Sequence, residues 1–196
     1  MADTICGLWI AGDGRAQVSV AMPDGGRSEQ TAPFRPFAWL NDTTAGSSRP
    51  GLTIEPLKGD GPFNRLVQAD ELGVYDEFLR QARDTGMKVD AVRPLESQFL
   101  LQHRQRLYRD LGFGQLRRCQ LDIETGSTDG SFSDASRPDD RVLAIGLRGS
   151  GRSRLLVLEE LTDAAEKELL QALNTALGEE DPDVIEGHNL FKFDLD

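Results

Sequence analysis

The absences in this sequence are the first guide to what kind of protein it encodes. Its 196 residues include only two cysteines and fewer basic than acidic residues, 22 against 33. No apolar run approaches the roughly 18 residues that a membrane-spanning helix needs. The first residues lack the basic start and apolar stretch of a secretory signal. We therefore expect a cytoplasmic globular protein with no membrane partner.

The two cysteines, Cys6 and Cys119, lie far apart in the sequence, each in an apolar context typical of a strand. Free cysteine is among the most buried residue types, and disulfides are rare in cytosolic proteins. The spacing favours two buried free thiols over a disulfide or half of a zinc site.

The formal net charge of −11 argues against a broad nucleic-acid-binding surface, because contacts to phosphate need lysine and arginine. The charge is uneven, however, since residues 159–196 are strongly acidic whereas a basic cluster occupies residues 93–118. That cluster consists of Arg93, Arg104, Arg106, Arg109, Arg117 and Arg118. The overall charge thus weakens a nucleic-acid partner without excluding one.

In residues 1–110 the strand patterns come before the helix patterns, which is typical of an α+β domain. Strands are predicted at 4–11, 15–22, 31–40, 52–57, 64–69 and 88–92. One helix is predicted from Asp70 or Glu71 to near Gly86, and a second from Pro94 to Tyr108. His103 lies on the apolar stripe of the second helix, where a packed side chain is a more common finding than a ligand.

Residues 111–196 are predicted to alternate between strands and helices, as an α/β domain with a mixed sheet does. Three strands, a helix capped by Asp163 and a fourth strand at Val184 follow one another. A crossover helix of this kind returns the chain beside the first strand. The long polar loop 126–140 separates the first two strands, and its acidic residues are expected to be solvated: Asp129, Asp134, Asp139 and Asp140.

The first of these strands has acidic and apolar residues in alternation. Asp122 and Glu124 are two residues apart, so a strand directs both carboxylates to one face, while Leu121 and Ile123 point into a core. Two adjacent carboxylates repel each other unless a cation or a proton intervenes. The turn after the fourth strand would bring Asp194 towards the same place.

Three carboxylates that converge from different elements suit two hard cations, of which Mg²⁺ or Mn²⁺ fits oxygen-only ligands. Other interpretations remain open: a single structural ion, or two carboxylates acting as general acid and base. An Asp-x-Glu pattern by itself is most often surface charge.

The combination of two motifs is more specific. The segment Leu121–Thr125, of sequence LDIET, resembles the first exonuclease motif of family B DNA polymerases. The segment 181–194, of sequence DPDVIEGHNLFKFD, is similar to the second motif of that family. Residues 35–40 and 95–118 also resemble parts of the family's N-terminal domain and of the approach to its exonuclease domain, so the resemblance covers nearly the whole chain.

The resemblance implies an N-terminal polymerase domain at 1–110 and part of a ribonuclease-H-like 3′–5′ exonuclease domain at 111–196. Asp122, Glu124 and Asp194 would hold two Mg²⁺ or Mn²⁺ ions and carry the catalysis. The substrate-binding residues would be Asn189, Phe193 and Thr125. The partner would be DNA, as a single-stranded 3′ end or a primer-template.

The family's third exonuclease motif and its polymerase motifs would lie beyond Asp196. The resemblance therefore identifies the chain as an N-terminal piece of a longer polymerase, whose C-terminal part is its partner. We expect weak or absent nuclease activity from this piece alone, and self-association through surface that the C-terminal part would cover. Two alternatives are a nucleic-acid-binding module without catalysis and a stand-alone ribonuclease-H-like exonuclease.

Overall fold

The computed structural model describes residues 4–41, 50–128, 130–131, 133–134, 136–149, 151–188 and 190. The chain forms two compact units, Met1–Asp110 and Leu111–Asp196. Within the described residues, no helix combines the length and the apolar character needed to cross a membrane. Cys6 and Cys119 are both free and buried, which confirms the prediction from their spacing.

The first unit begins with a three-stranded antiparallel sheet of β1 (Ile5–Ile10), β2 (Arg15–Ala21) and β3 (Arg27–Pro33), in that order. Alternate residues of β2 are buried, as expected for a strand with one face on a core. Phe34 and Phe99 close this core, with their ring centroids 6.3 Å apart.

A four-stranded antiparallel sheet completes the first unit, in the order β5-β6-β4-β7. Its strands are β4 (Phe37–Asn41), β5 (Leu52–Pro56), β6 (Arg65–Ala69) and β7 (Lys88–Asp90). Helix α1 (Leu72–Asp84) buries Tyr75, Phe78, Leu79 and Ala82. These side chains share a core with the sheet.

Two predictions for the first unit were wrong in detail. Residues 31–40 do not form one strand, because the chain leaves β3 at Pro33 and enters β4 only at Phe37. Helix α2 (Leu95–His103) ends five residues before the predicted Tyr108, because Arg104 takes a left-handed conformation, with φ at 52°. His103 stacks on Phe99 with the ring centroids 4.0 Å apart, as a packed residue.

The second unit contains a four-stranded mixed sheet in the order β10-β9-β8-β11. Strands β8 (Arg118–Gly126), β9 (Arg141–Arg148) and β10 (Ser153–Val157) are antiparallel, whereas β11 (Val184–Glu186) is parallel to β8. Helix α3 (Asp163–Glu180) connects β10 to β11. The predicted mixed sheet and the return of the chain beside its first strand are confirmed.

Helix α3 packs on one face of this sheet. Leu169 and Ala176 of the helix share a core with the inward side chains of β8 and β9: Cys119, Leu121, Ile145 and Leu147. The helix is capped by Thr162, whose side chain accepts a hydrogen bond from Ala165 N at 3.2 Å, and not by Asp163 as predicted. Glu166 instead accepts a hydrogen bond from Val142 N at 2.8 Å, which fixes α3 to the sheet.

Candidate functional site

Strand β8 presents two unlike faces, as its sequence predicts. Cys119 and Leu121 are buried in the core under α3, whereas Gln120, Asp122 and Glu124 are exposed on the opposite face. The period of two along a strand is the reason, since successive side chains leave on opposite sides. The two carboxylates predicted to share a face do so.

The residues opposite these carboxylates on β9 are small. Asp122 pairs with Gly146, and Glu124 pairs with Ala144. A β-carbon built on Gly146 would meet its nearest neighbour, the main-chain oxygen of Asp122, only at 3.8 Å. No β9 side chain larger than a methyl group therefore screens the carboxylates, and a ligand can reach them from this side of the sheet.

Sequence reasoning did not identify Ala144 and Gly146 as part of the site. The signal was present, because a small residue alternates with a bulky one along this part of β9, whose sequence is AIGL over residues 144–147. Once Asp122 and Glu124 face outward, the partners that share their face need not fill space. The pairing register, which the sequence alone does not specify, selects these two residues.

Strand β11 delivers the second motif to the same sheet. Val184, Ile185 and Glu186 pair in parallel with Arg118, Cys119 and Gln120. The chain before β11 is fixed to β8, because Asp183 N donates to Arg117 O and Asp183 Oδ2 accepts from Arg117 N, both at 2.8 Å. The residues that follow Glu186 therefore start one strand away from β8, two residues short of the level of Asp122.

An open cavity of about 670 Å³ lies where these elements meet. Asp122 of β8, Arg148 of β9 and His188, which follows β11, all contribute to its wall. The remaining lining residues are Gln120, Leu121, Gly146, Leu147, Ser153, Arg154, Glu186 and Gly187. The cavity thus joins the first carboxylate motif to the beginning of the second.

Glu186 lines this cavity but its carboxylate is already occupied. Arg118 donates to Glu186 through Nε and through Nη2, the latter at 2.6 Å to Oε2, and its guanidinium also lies 4.2 Å from the centre of the Phe113 ring. The hydrogen bond from Arg118 lowers the pKa of Glu186 and raises that of Arg118. Glu186 is therefore a poor candidate for a metal ligand.

Asp122 and Glu124 have a different environment. Among the described residues, neither carboxylate has a side-chain hydrogen bond or an ion pair with the protein. In the same part of the chain, no group of three histidine, cysteine, aspartate or glutamate side chains is placed so that it could hold a metal ion. The structure brings two of the predicted metal-binding carboxylates together on one face.

The other predicted site residues divide into two groups. Thr125 is half-buried, and its Oγ1 is 2.7 Å from Ser133 Oγ, which donates to it from the following loop. Asn189, Phe193 and Asp194 lie outside the described residues, so their roles stay predictions.

One acid of the polar loop after β8 is buried, against the prediction for it. Asp140 was expected to be solvated, but its side chain is only 2% exposed. Its carboxylate forms an ion pair with Arg137 at 2.6 Å and accepts a hydrogen bond from Asp134 N at 3.0 Å. The hydrogen bond connects Asp134 and Asp140, which are six positions apart in the loop.

Two comparisons with known proteins found similar chains. Residues 104–196 match the model of the DNA polymerase family B exonuclease domain. No curated protein sequence matches the chain. Among 131 matching chains of solved structures is the family B DNA polymerase of the hyperthermophilic archaeon Pyrobaculum calidifontis.

That polymerase matches with a TM-score of 0.68 over 96% of this chain, at 18% sequence identity, and the match spans 30% of the polymerase. At this identity the likeness establishes a shared fold with that polymerase and no more. Residues 104–196 are similar to the exonuclease domain of family B DNA polymerases.

Proposed function

We propose that the open face of β8 is part of the two-metal site of a 3′–5′ exonuclease that hydrolyses phosphodiester bonds at the 3′ end of DNA. One observation carries the proposal: Asp122 and Glu124 stand unscreened on the same sheet face, inside the region that matches the exonuclease family. The parallel pairing of β11 supports it, because β11 brings the second motif beside the first.

The residues present fit a hard divalent cation. Two exposed carboxylates from one strand offer oxygen ligands only, which Mg²⁺ and Mn²⁺ prefer. Their mutual repulsion is relieved when a cation binds. We assign Asp122 and Glu124 as ligands of such ions, and Asp194 as the third expected carboxylate.

The chemistry that two bound divalent cations supply is activation of a water and stabilisation of the leaving oxygen of a phosphodiester. The chain's own contribution is positional. Strand β8 fixes the spacing of Asp122 and Glu124, and the small partners Gly146 and Ala144 leave access for the substrate. The Arg118–Glu186 pair balances charge at the cavity wall.

Any activity of a complete polymerase is proposed only from the family resemblance. Because the chain spans 30% of the length of the matched polymerase, template-directed DNA synthesis is a proposal about a longer protein and not about these residues. DNA as the partner and the cytoplasm as the location follow from the same proposal.

The alternative of a binding module without catalysis is weakened by three of the six arginines of residues 93–118. Arg117 pairs with Asp181 at 2.6 Å, and Arg118 pairs with Glu186. Arg93 lies over the Tyr75 ring and 3.5 Å from Asp76. Guanidinium groups committed to the protein's own acids are less available to phosphates.

The direct test of the proposed site is Mn²⁺ binding. Electron paramagnetic resonance measures the concentration of the free ion. We expect Asp122→Asn to weaken Mn²⁺ binding by more than about tenfold, because one charged ligand is lost. The matched control is Glu168→Gln. Glu168 is exposed on α3, on the opposite side of the same sheet, so the variant removes one charge without touching the site.

A nuclease assay on single-stranded DNA with a labelled 3′ end tests the chemistry separately. Metal-dependent cleavage that Asp122→Ala abolishes would establish the exonuclease and would contradict the expectation that this chain alone is a weak nuclease. Mn²⁺ binding that is equal in the wild type, Asp122→Asn and Glu168→Gln proteins would refute the assignment of Asp122 as a ligand.

A further inference from the structure

The outermost strand of the second sheet, β10, has an open edge. In the order β10-β9-β8-β11 it lies at the end of the sheet, and among the described residues it pairs only with β9. An edge strand presents a row of N–H and C=O groups with which another strand can pair. Many proteins prevent such pairing with proline or lysine in the edge strand. The sequence of β10, SRLLV, contains neither.

The hydrogen bonds to β9 show which residues of β10 face the open edge. Leu158 N donates to Leu143 O at 2.8 Å, and Gly149 N donates to Arg152 O at 3.0 Å. In an antiparallel pair every second residue directs its backbone groups to the neighbouring strand, so the even-numbered residues of 152–158 bond to β9. The residues between them direct their N–H and C=O groups away from β9: Ser153, Leu155 and Val157.

The side chains on this edge are apolar and accessible. Leu155 is 71% exposed and Val157 is 55% exposed. They are two positions apart in a strand, so both leave β10 on the same face of the sheet. Large apolar side chains that face water together indicate an interaction surface more often than isolated ones do. Strand β10 therefore offers a partner both backbone groups and an apolar contact.

The charges that flank β10 are self-complementary. Arg152 precedes the strand, whereas Glu159 and Glu160 follow it. All three side chains belong to exposed residues and, among the described residues, form no ion pair. If a second β10 lies antiparallel to the first, the basic start of each strand meets the acidic end of the other. A parallel partner of the same sequence would place like charges together, so the pattern favours an antiparallel pair of identical strands.

We propose that two copies of this chain associate by antiparallel pairing of their β10 strands, about a twofold axis at Leu156. The two four-stranded sheets would then form one continuous sheet of eight strands. In this register Leu155 of each copy lies opposite Val157 of the other, so both exposed apolar side chains are covered. Both residues also direct their backbone groups to the edge, so each of the two facing pairs exchanges two hydrogen bonds.

The charges favour this register over its neighbour. With the axis at Leu156, Arg152 of one copy lies opposite Glu160 of the other. An axis at Leu155 would instead place Arg152 opposite Leu158, and Ser153 opposite an exposed valine. The register at Leu156 therefore matches apolar with apolar and basic with acidic residues at once.

The proposed contact is separate from the candidate metal site. Strand β8 lies two strand spacings from β10, which corresponds to about 10 Å, so pairing at the edge leaves Asp122 and Glu124 uncovered. The contact therefore does not depend on the exonuclease function.

Sedimentation velocity over a series of protein concentrations tests the association. Two five-residue strands form a small contact, and interfaces below about 1,200 Å² are typical of weak complexes, so the series extends to about 500 µM protein. We expect the sedimentation coefficient of the wild type to rise with concentration from that of a monomer towards that of a dimer. A wild-type protein that remains a monomer throughout the series would overturn the proposal.

The variant Leu155→Lys tests whether β10 forms the contact. It should weaken the association by more than about tenfold, because an apolar contact is lost and like charges face each other near the axis. The matched control is Leu101→Lys, which changes a leucine that is 56% exposed on α2 of the first unit. The control adds the same charge and should associate as the wild type does. Equal association of Leu155→Lys and the control would show that the contact lies elsewhere.

An exchange of charges tests the antiparallel register. Arg152→Glu should weaken the association, because acidic side chains then face each other at both ends of the contact. The combined variant Arg152→Glu/Glu160→Arg should restore it, since opposite charges are again paired. Non-specific apolar association would not show this restoration. A combined variant that associates no better than Arg152→Glu, or an Arg152→Glu protein that associates like the wild type, would refute the register.

Discussion

Two polar clusters, one in each unit, show how burial separates a structural role from a functional one. In the first unit, Gln98 is completely buried and every polar atom of its side chain is paired. Its Oε1 accepts from Phe37 N at 2.7 Å, and its Nε2 donates to Val92 O at 2.9 Å and to Tyr75 Oη at 3.0 Å. This cluster has no capacity left for a ligand.

In the second unit, Asp122 and Glu124 are exposed and, among the described residues, have no side-chain partner. A neutral amide can be satisfied by the backbone inside a core, whereas two parallel carboxylates cannot satisfy one another. The difference teaches that the informative acids of this sheet are unpaired ones that share a face. Several other acids of the second unit pair with arginines, as Glu186, Asp181 and Glu166 do.

The largest effect that distinguishes the clusters is expected for Gln98→Ala. The substitution leaves a cavity and deprives Phe37 N and Val92 O of their buried partner, so we expect a loss of about 2–4 kcal/mol in the free energy of unfolding. Urea denaturation measures it. Gln81→Ala, an exposed glutamine of α1, should change the value by less than about 0.5 kcal/mol.

Under conditions where the Gln98→Ala protein is folded, its Mn²⁺ binding should equal that of the wild type. Gln98 belongs to the first compact unit, whereas β8 belongs to the second. A Gln98→Ala protein that is as stable as Gln81→Ala would show that the buried network does not stabilise the first unit.

The next effect is expected for Tyr75→Phe. The hydroxyl donates to Phe37 O at 2.9 Å, and its loss should cost about 1–2 kcal/mol. Burial raises the pKa of Tyr75, so the folded protein retains the phenol proton at a pH where the unfolded chain releases it. The stability from this neutral tyrosine is complete below the usual pKa near 10 and is lost as the pH rises through the raised value.

Urea denaturation between pH 8 and pH 11 measures this dependence. The wild-type curve should fall above about pH 10 and the Tyr75→Phe curve should be flatter there. If the two curves of stability against pH are parallel, the fall in wild-type stability is not due to ionisation of Tyr75.

A smaller effect is expected at the border of the proposed site, where Glu186 is paired. Arg118 lowers the pKa of Glu186, so the pair contributes stability above the carboxyl's usual pKa and loses it as the pH falls through the lowered value. Thermal unfolding should place Glu186→Gln slightly below the wild type at pH 7, and the gap should close in strong acid. A gap that is constant with pH would contradict the pairing.

Several features of both units were predictable from the sequence, and the failures have physical causes. The alternation in β8 fixed the faces of Asp122 and Glu124, and the strand–helix order predicted that β11 returns beside β8. Strand β3 was recognised only at its end, because its first half, RSEQ, is polar and gains its strand conformation from pairing with β2.

The buried amide could not be predicted in the same way. Gln98 lies in a helix with several polar residues, and a glutamine there is usually exposed. Its burial depends on Phe37, Tyr75 and Val92, which reach it from elements up to 61 residues away in the sequence. Likewise, Leu161 fits the period of α3 but precedes the cap at Thr162, so it is exposed.

The smallest expected effect on stability belongs to the carboxylates themselves. We expect Asp122→Asn/Glu124→Gln to change the free energy of unfolding by less than about 0.5 kcal/mol, or to raise it slightly, because the charges removed are exposed, unpaired and of like sign. The same protein should lose Mn²⁺ binding. Urea denaturation and electron paramagnetic resonance on one preparation measure both quantities.

This pairing of results is the strongest test of the comparison between the clusters. Residues selected for folding should lower stability when replaced, and residues selected for a ligand should not, since an unoccupied acidic pair is a cost to the fold. A double variant that is clearly less stable than the wild type would place Asp122 and Glu124 with Gln98, as structural groups. Unchanged or higher stability with Mn²⁺ binding lost would identify the open face of β8 as a surface kept for its ligand.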